Sequence, residues 1–211
     1  MTNTTSEFGR ELDSLADVIS FGIAPAILAY VWGVQFVGSG WGNATLDQLQ
    51  RAGKFISFAF LVCGAARLAR FNISKNPIPK NPGSPNRKYF VGLPIPAAAG
   101  MIAAVVFVED SYPITSFYES VAWLALLGLL SFLMVSTWRY WSSKELNLLR
   151  PRSPILLVMA GCGIYAIWNW SQPVLLLLAT AYVGSGIVIR AGGIIRRYFR
   201  RKRLPEGVSI G

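Results

Sequence analysis

Apolar residues occupy most of the chain in long runs that polar segments interrupt. Six apolar segments can be drawn: Leu15 to Val37, Lys54 to Phe71, Val91 to Val108, Ser120 to Trp138, Pro154 to Trp170 and Pro173 to Ile195. A helix needs about 20 mostly apolar residues to cross the hydrocarbon layer of a bilayer. The pattern therefore predicts an all-α, polytopic transmembrane helix bundle with about six spans.

The polar connections alternate in charge. Basic residues collect in three of them, at Lys75, Lys80, Arg87 and Lys88, at Arg139, Lys144, Arg150 and Arg152, and at Arg196 to Arg203. The other connections hold Asp47, then Glu109, Asp110 and Glu119, and then no charge at Asn169 to Gln172. Because short cytoplasmic loops collect Lys and Arg, the basic connections are assigned to the cytoplasm.

This orientation places the segment from Gly9 to Asp17 on the cytoplasmic side of the inner cell membrane. We expect residues 1–195 to form a multi-pass membrane domain and residues 196–211 to form a basic cytoplasmic tail. The tail could bind anionic lipid headgroups. Anchoring by the positive-inside effect alone is the simpler interpretation, and we favour it.

Composition excludes several classes of protein. The chain is 53% hydrophobic and 14% charged, values that do not fit a soluble globule. It has no histidine, which removes Ser-His and Cys-His catalytic pairs and most zinc sites. The net charge of +10 would suit nucleic acid, but its distribution follows membrane topology, so no nucleic-acid partner is expected.

Gly9, Asp13 and Asp17 recur every four residues at the start of the first span. On a helix, four steps advance only ~40° past a full turn, so the three share one face and the Asp Cα atoms lie ~6 Å apart. Two such carboxylates can hold a divalent cation, or one can bind metal while the other acts as a base.

A simpler interpretation is that Asp13 and Asp17 are acids at a helix start, paired with Arg10. However, Asp17 runs directly into the apolar residues from Val18, and a carboxylate at the membrane boundary is costly without a partner or a function. Both interpretations stay open on these residues alone.

The segment Gly9-Arg-Glu-Leu-Asp13-Ser-Leu-Ala-Asp17 resembles the second half of the CDP-alcohol phosphotransferase signature, DxxDGxxAR followed by GxxxDxxxD. The resemblance implies that Asp13 and Asp17 bind a divalent metal ion, Mg²⁺ or Mn²⁺, and that Asp17 is also the general base on the incoming alcohol. It further implies that Gly9, with Thr5 and Ser6, contributes to the site for the CDP-linked lipid.

The first half of the signature is absent before Gly9. The resemblance therefore implies that one or two N-terminal spans of the family are missing, through an internal methionine start or a cut. A non-catalytic membrane protein, either a fragment that lost its site or a transporter with two acids on its pathway, stays open as an alternative.

Four further blocks are similar to the bacterial and archaeal phosphatidylserine synthases of this superfamily. They are Leu12 to Pro25, Arg67-Leu-Ala-Arg-Phe-Asn72, Gly92 to Ala97 and Leu133 to Ser136. The resemblance implies transfer of a phosphatidyl group from CDP-diacylglycerol to L-serine, with phosphatidylserine and CMP as products. Glycerol phosphate or an inositol phosphate remains the alternative acceptor.

Arg67 and Arg70 lie three residues apart near the end of the second span, so they share a helix face. Guanidinium is a natural bidentate partner for the carboxylate of serine or for the CDP phosphates, and Asn72 could add an amide. Snorkelling of the two arginines to the interface is the alternative. The expected partners are CDP-diacylglycerol, L-serine and the bilayer; family members often dimerise, which leaves a homodimer open.

Overall fold

The computed structural model describes residues 7–38, 40, 42–75, 89–141 and 154–201. Seven α-helices make up most of this part of the chain. They are α1 (Glu7–Val18), α2 (Ala24–Tyr30), α3 (Asn43–Lys75), α4 (Ile95–Val108), α5 (Phe117–Val135), α6 (Pro154–Asn169) and α7 (Ser171–Arg201). Two short strands, β1 (Tyr89–Val91) and β2 (Arg139–Trp141), pair antiparallel.

The first two helices form one continuous rod. Two π-helical turns, Ile19–Ile23 and Val31–Gln35, replace regular α-helix after α1 and after α2. Such turns free or shift backbone carbonyls, and α5 satisfies two of them at the second turn. Ser120 Oγ donates to the Gly33 carbonyl at 2.6 Å, and Trp123 Nε1 donates to the Ala29 carbonyl at 2.9 Å.

Four helices in the described part are long and apolar enough to cross a membrane. They are Glu11–Gln35, Asn43–Asn72, Phe117–Val135 and Ser171–Val188. Many of their large apolar side chains are exposed, including those of Ile27, Phe55 and Leu177. An apolar outer surface is what a hydrocarbon solvent favours. The predicted polytopic helix bundle is confirmed.

The number of full-length spans differs from the six drawn on the sequence. The third segment is a helix of 14 residues that begins at Ile95, because Pro94 adopts an extended conformation with ψ 138° and Pro96 occupies the first turn. The fifth segment, α6, has 16 residues. Conversely, α3 begins at Asn43, well before the predicted start at Lys54, so its first turns are helical although they are polar.

The N-terminal rod and α3 run antiparallel and pack closely through small residues. Gly22 faces Leu61, while Gly53 lies against Val34, so the rod and α3 run in opposite directions. α3 packs along α5 and α4 packs along α7. The core between them contains Phe60, Ile102, Leu127 and Leu130, together with other apolar residues of α4 and α5.

The β1–β2 ribbon joins the start of α4 to the end of α5. Tyr89 pairs with Trp141 and Val91 pairs with Arg139. Gly92 continues the contact, since its N–H donates to the Trp138 carbonyl at 2.8 Å. The ribbon was not predicted: the expected third span included Val91 of β1, and the expected fourth span ended at Trp138, directly before β2.

Candidate active site at the α1–α3 junction

The acidic face of α1 forms one side of the candidate site. Gly9, Asp13 and Asp17 all lie in the helix Glu7–Val18, which confirms that they share one helical face. Asp13 is exposed, whereas Asp17 is partly buried one turn further along. The two carboxylates therefore differ in their surroundings although they are neighbours.

The C-terminal part of α3 forms the other side. Arg67 is only 7% exposed, and its guanidinium lies 5.3 Å from the centre of the Phe71 ring. Tyr182 of α7 and Asp17 of α1 lie within electrostatic range of this guanidinium. The alternative interpretation was that Arg67 snorkels to the membrane interface. Its burial in the described structure does not fit that interpretation. A buried guanidinium beside a carboxylate is an arrangement in which each charge compensates the other.

A side-chain hydrogen bond connects the two helices at this point. Asn72 Nδ2 donates to Ser14 Oγ at 2.9 Å, and both residues are partly buried. Ser14 lies within the acidic motif, between Asp13 and Asp17. The end of α3 is therefore attached directly to the segment that carries the two carboxylates.

Arg70 points toward a different neighbour. Its side chain is exposed, and Nη1 donates to the Val135 carbonyl at the end of α5 at 3.1 Å. Arg67 and Arg70 were predicted to act together on one helix face, but the structure gives them different environments. Thr5 and Ser6 lie outside the described residues.

Tyr182 is a neighbour of Arg67 that the sequence did not indicate. It is partly buried on α7, more than a hundred residues beyond Arg67, and lies within electrostatic range of that guanidinium. Membrane tyrosines are enriched at the interfaces, yet Tyr182 lies within the apolar stretch Ser171–Val188. The position of a tyrosine inside a predicted span was the sequence signal that could have marked Tyr182 as a candidate site residue.

Tyr182 also lines a groove between α4 and α7. The groove has a volume of about 650 Å³, and its other walls include Ala97, Gly100, Phe107 and Leu178. These side chains are apolar or small, so the groove could accommodate hydrocarbon. Tyr182 therefore lies between the groove and the charged side chains of Arg67 and Asp17.

The two carboxylates of α1 are candidate metal ligands that could supply part of a coordination shell. Within the described ranges, no group of three or more His, Cys, Asp or Glu side chains could hold a metal ion. Mg²⁺ is commonly bound through one or two carboxylates together with substrate phosphates and water. Asp13 and Asp17 fit that mode, and they do not fit a site made entirely of protein ligands.

Comparison with known proteins identifies the family of this chain. Residues 1–130 match the family described as CDP-alcohol phosphatidyltransferase. The chain belongs to the CDP-alcohol phosphatidyltransferase family. The match to this family covers the acidic motif and the arginines of α3, and it ends before α7, so Tyr182 lies beyond it.

Relatives of this CDP-alcohol phosphatidyltransferase include bacterial and archaeal proteins. A CDP-diacylglycerol–serine O-phosphatidyltransferase of Helicobacter pylori is 38% identical over 186 residues, which cover 81% of this chain and 70% of that protein. A protein of the same name from Methanocaldococcus jannaschii is 38% identical over 139 residues, covering 66% and 52%. An archaetidylserine synthase of Methanothermobacter thermautotrophicus is 35% identical over 133 residues, covering 63% and 45%.

Proposed function

We propose that this chain transfers the phosphatidyl group of CDP-diacylglycerol to L-serine, forming phosphatidylserine and CMP. The relatives named as serine phosphatidyltransferases support the choice of acceptor. The observation that carries the proposal is the contact region between α1 and α3, where the acidic motif lies beside a buried arginine. In the reaction, the serine oxygen forms a bond to the β-phosphorus, and the bond from that phosphorus to the CMP oxygen breaks.

Asp17 is proposed as the general base that takes the serine hydroxyl proton as the oxygen attacks. A positioned base contributes roughly 10²- to 10⁴-fold to such a step. Asp17 is partly buried, within electrostatic range of the Arg67 guanidinium. Asp13 and Asp17 would hold the divalent ion, Mg²⁺ or Mn²⁺, which when bound neutralises charge on the pyrophosphate.

The basic and small residues are assigned to substrate binding. Arg67 and Arg70 are proposed to bind the serine carboxylate or the CDP phosphates, and Gly9, with Thr5 and Ser6, to bind CDP-diacylglycerol. Asn72 was predicted to join the arginines, but its amide group donates to Ser14. Guanidinium suits both anions because its donors match carboxylate and phosphate oxygens in pairs.

The proposed location is the cytoplasmic face of the cell membrane. The positive-inside rule supports this orientation, because the topology predicted from the sequence puts the basic connections on the same side as the acidic motif. The acyl chains of the liponucleotide would stay in the bilayer while its headgroup and the soluble amino acid meet at the surface.

The test is CMP release from CDP-diacylglycerol by the purified chain, with L-serine, glycerol 3-phosphate or an inositol phosphate as acceptor and with Mg²⁺ or Mn²⁺. We expect release that depends on serine and that EDTA abolishes. Asp17→Asn should lower the rate by about 100-fold or more. Asp47→Asn, an exposed carboxylate near the start of α3, is the matched control and should leave the rate unchanged.

Two results would overturn the proposal. The first is release that is independent of serine, or specific for one of the other acceptors. The second is an Asp17→Asn variant that turns over serine as fast as the Asp47→Asn control, because the carboxylate would then have no part in the chemistry.

A further inference from the structure

We propose that the hydrogen bond between Ser14 and Asn72 is a positioning device that sets the register of α1 against α3. The proposal rests on the function given above and assigns Asn72 to the alignment of the acidic motif instead of to substrate contact. The bond joins residues that are 58 positions apart, with a donor–acceptor distance of 2.9 Å.

Three large apolar side chains of α1 contribute little to this register in the described structure. Phe8 is 77% exposed, Leu12 is 55% exposed and Leu15 is 61% exposed. Hydrophobic packing sets the position of a helix only through side chains that it buries. A polar bond with a defined length and direction therefore has a larger share in placing this segment than it would in a well-packed helix.

The geometry explains why the register matters for the charged pair. Because α1 and α3 run antiparallel, positions that follow Ser14 meet positions that precede Asn72. Asp17 lies three residues beyond Ser14, or ~4.5 Å along the axis, and Arg67 lies five residues before Asn72, or ~7.5 Å. Asp17 and Arg67 therefore lie on the same side of the hydrogen bond, and the long side chain of Arg67 can span the distance between them.

A change of register would separate these groups. A slip of one helical turn moves Asp17 by ~5.4 Å relative to Arg67, and a rotation by one residue turns it ~100° away. Misplacement of a reacting group by about 1 Å can cost roughly 100-fold in rate. A device that holds the register thus affects the alignment of base and metal ligands without contacting the substrate.

The experiment compares Ser14→Ala, Asn72→Ala, the double variant and Ser14→Thr in the full chain. Ser20→Ala, an exposed serine on the same rod, is the matched control. The readouts are kcat, KM for serine, Mn²⁺ affinity by electron paramagnetic resonance, and hydrogen–deuterium exchange of the α1 amides.

We expect each single variant and the double variant to lose kcat by the same factor, about tenfold or more, because both ends of one bond are removed. Mn²⁺ affinity should fall and exchange in α1 should quicken, while KM for serine stays within about twofold, since the bond does not contact the acceptor. Ser14→Thr keeps the hydroxyl and should retain most of the activity, and Ser20→Ala should match the wild type.

Other outcomes would overturn the proposal. If Asn72→Ala raises KM for serine while Ser14→Ala is neutral, Asn72 contacts the acceptor. Losses that add in the double variant would show two independent roles. If the wild type shows no serine turnover, the proposed function fails, but exchange in α1 still decides the positioning role: rates unchanged by Ser14→Ala and Asn72→Ala would refute it.

Discussion

Replacement of Gly33 by alanine should loosen the crossing between the N-terminal rod and α5. A Cβ atom at this position would overlap Cδ1 and Nε1 of the Trp123 indole. Gly33 and Trp123 are both buried, so the ring has little free space into which to move. Gly33 also lies in the π-helical turn Val31–Gln35, and its carbonyl oxygen accepts a hydrogen bond from Ser120 Oγ.

The size of the effect follows from what holds the indole. Its Nε1 donates to the Ala29 carbonyl at 2.9 Å, and its ring meets Trp32 edge-on with centroids 4.9 Å apart. Loss of the hydrogen bond costs about 1 kcal/mol and loss of the ring pair about 0.5–1.5 kcal/mol. Overpacking itself costs about 1–3 kcal/mol. Because these terms overlap, we expect a total of roughly 2–4 kcal/mol.

Thermal unfolding in detergent, followed by tryptophan fluorescence at one scan rate, measures the effect. For a chain of this size, 2–4 kcal/mol corresponds to a fall in Tm of roughly 5–12 °C. Gly128→Ala on α5, where an added Cβ meets nothing within 4 Å, is the matched control and should leave Tm unchanged or slightly raised.

A second variant tests the cause. Trp123→Leu on the Gly33→Ala background removes the ring that the new methyl group would meet, so the double variant should lose less stability than the sum of the two single variants. A Gly33→Ala protein with the Tm of the wild type, or strictly additive losses, would refute the steric reasoning.

Two more predictions follow from the structure. Gly92 has φ +81°, and a Cβ there would clash with the Met134 carbonyl oxygen and lie 3.1 Å from that of Ser136; Gly92→Ala should therefore cost about 2 kcal/mol or more in thermal unfolding, against a neutral Gly100→Ala control on α4. Arg67→Lys keeps the charge beside Asp17 but loses the planar fork, so KM for serine should rise about tenfold in steady-state kinetics. An unchanged KM would contradict a role of Arg67 in binding the acceptor.

Hydropathy predicted the helices well where they cross an apolar layer and less well where they extend beyond it. The polar first turns of α3, around Asp47, are helical because backbone hydrogen bonding continues once a helix has started, whatever the hydropathy of the next residue. The ribbon of β1 and β2 was missed for a different reason. Its strands have three residues each, too few for a period to be recognised.

The sequence by itself determined the chemistry that follows from local geometry. A spacing of four residues places Asp13 and Asp17 on one face in any helix, and the motif from Gly9 to Asp17 indicated the family that the comparison confirms. The polytopic fold class was equally determined, because a long apolar run can satisfy its backbone in a membrane as a helix.

Only the tertiary structure decided which groups meet across helices. It buried Arg67 beside Asp17, attached Asn72 to Ser14, turned Arg70 toward Val135 and brought in Tyr182 from α7. Helix register depends on how side chains of two surfaces interlock, and many registers are compatible with the same apolar pattern. Close approach at glycines such as Gly22 and Gly53 selects how the middle of the rod lies against α3, and the bond from Asn72 to Ser14 attaches the N-terminal turns, which carry the acidic motif.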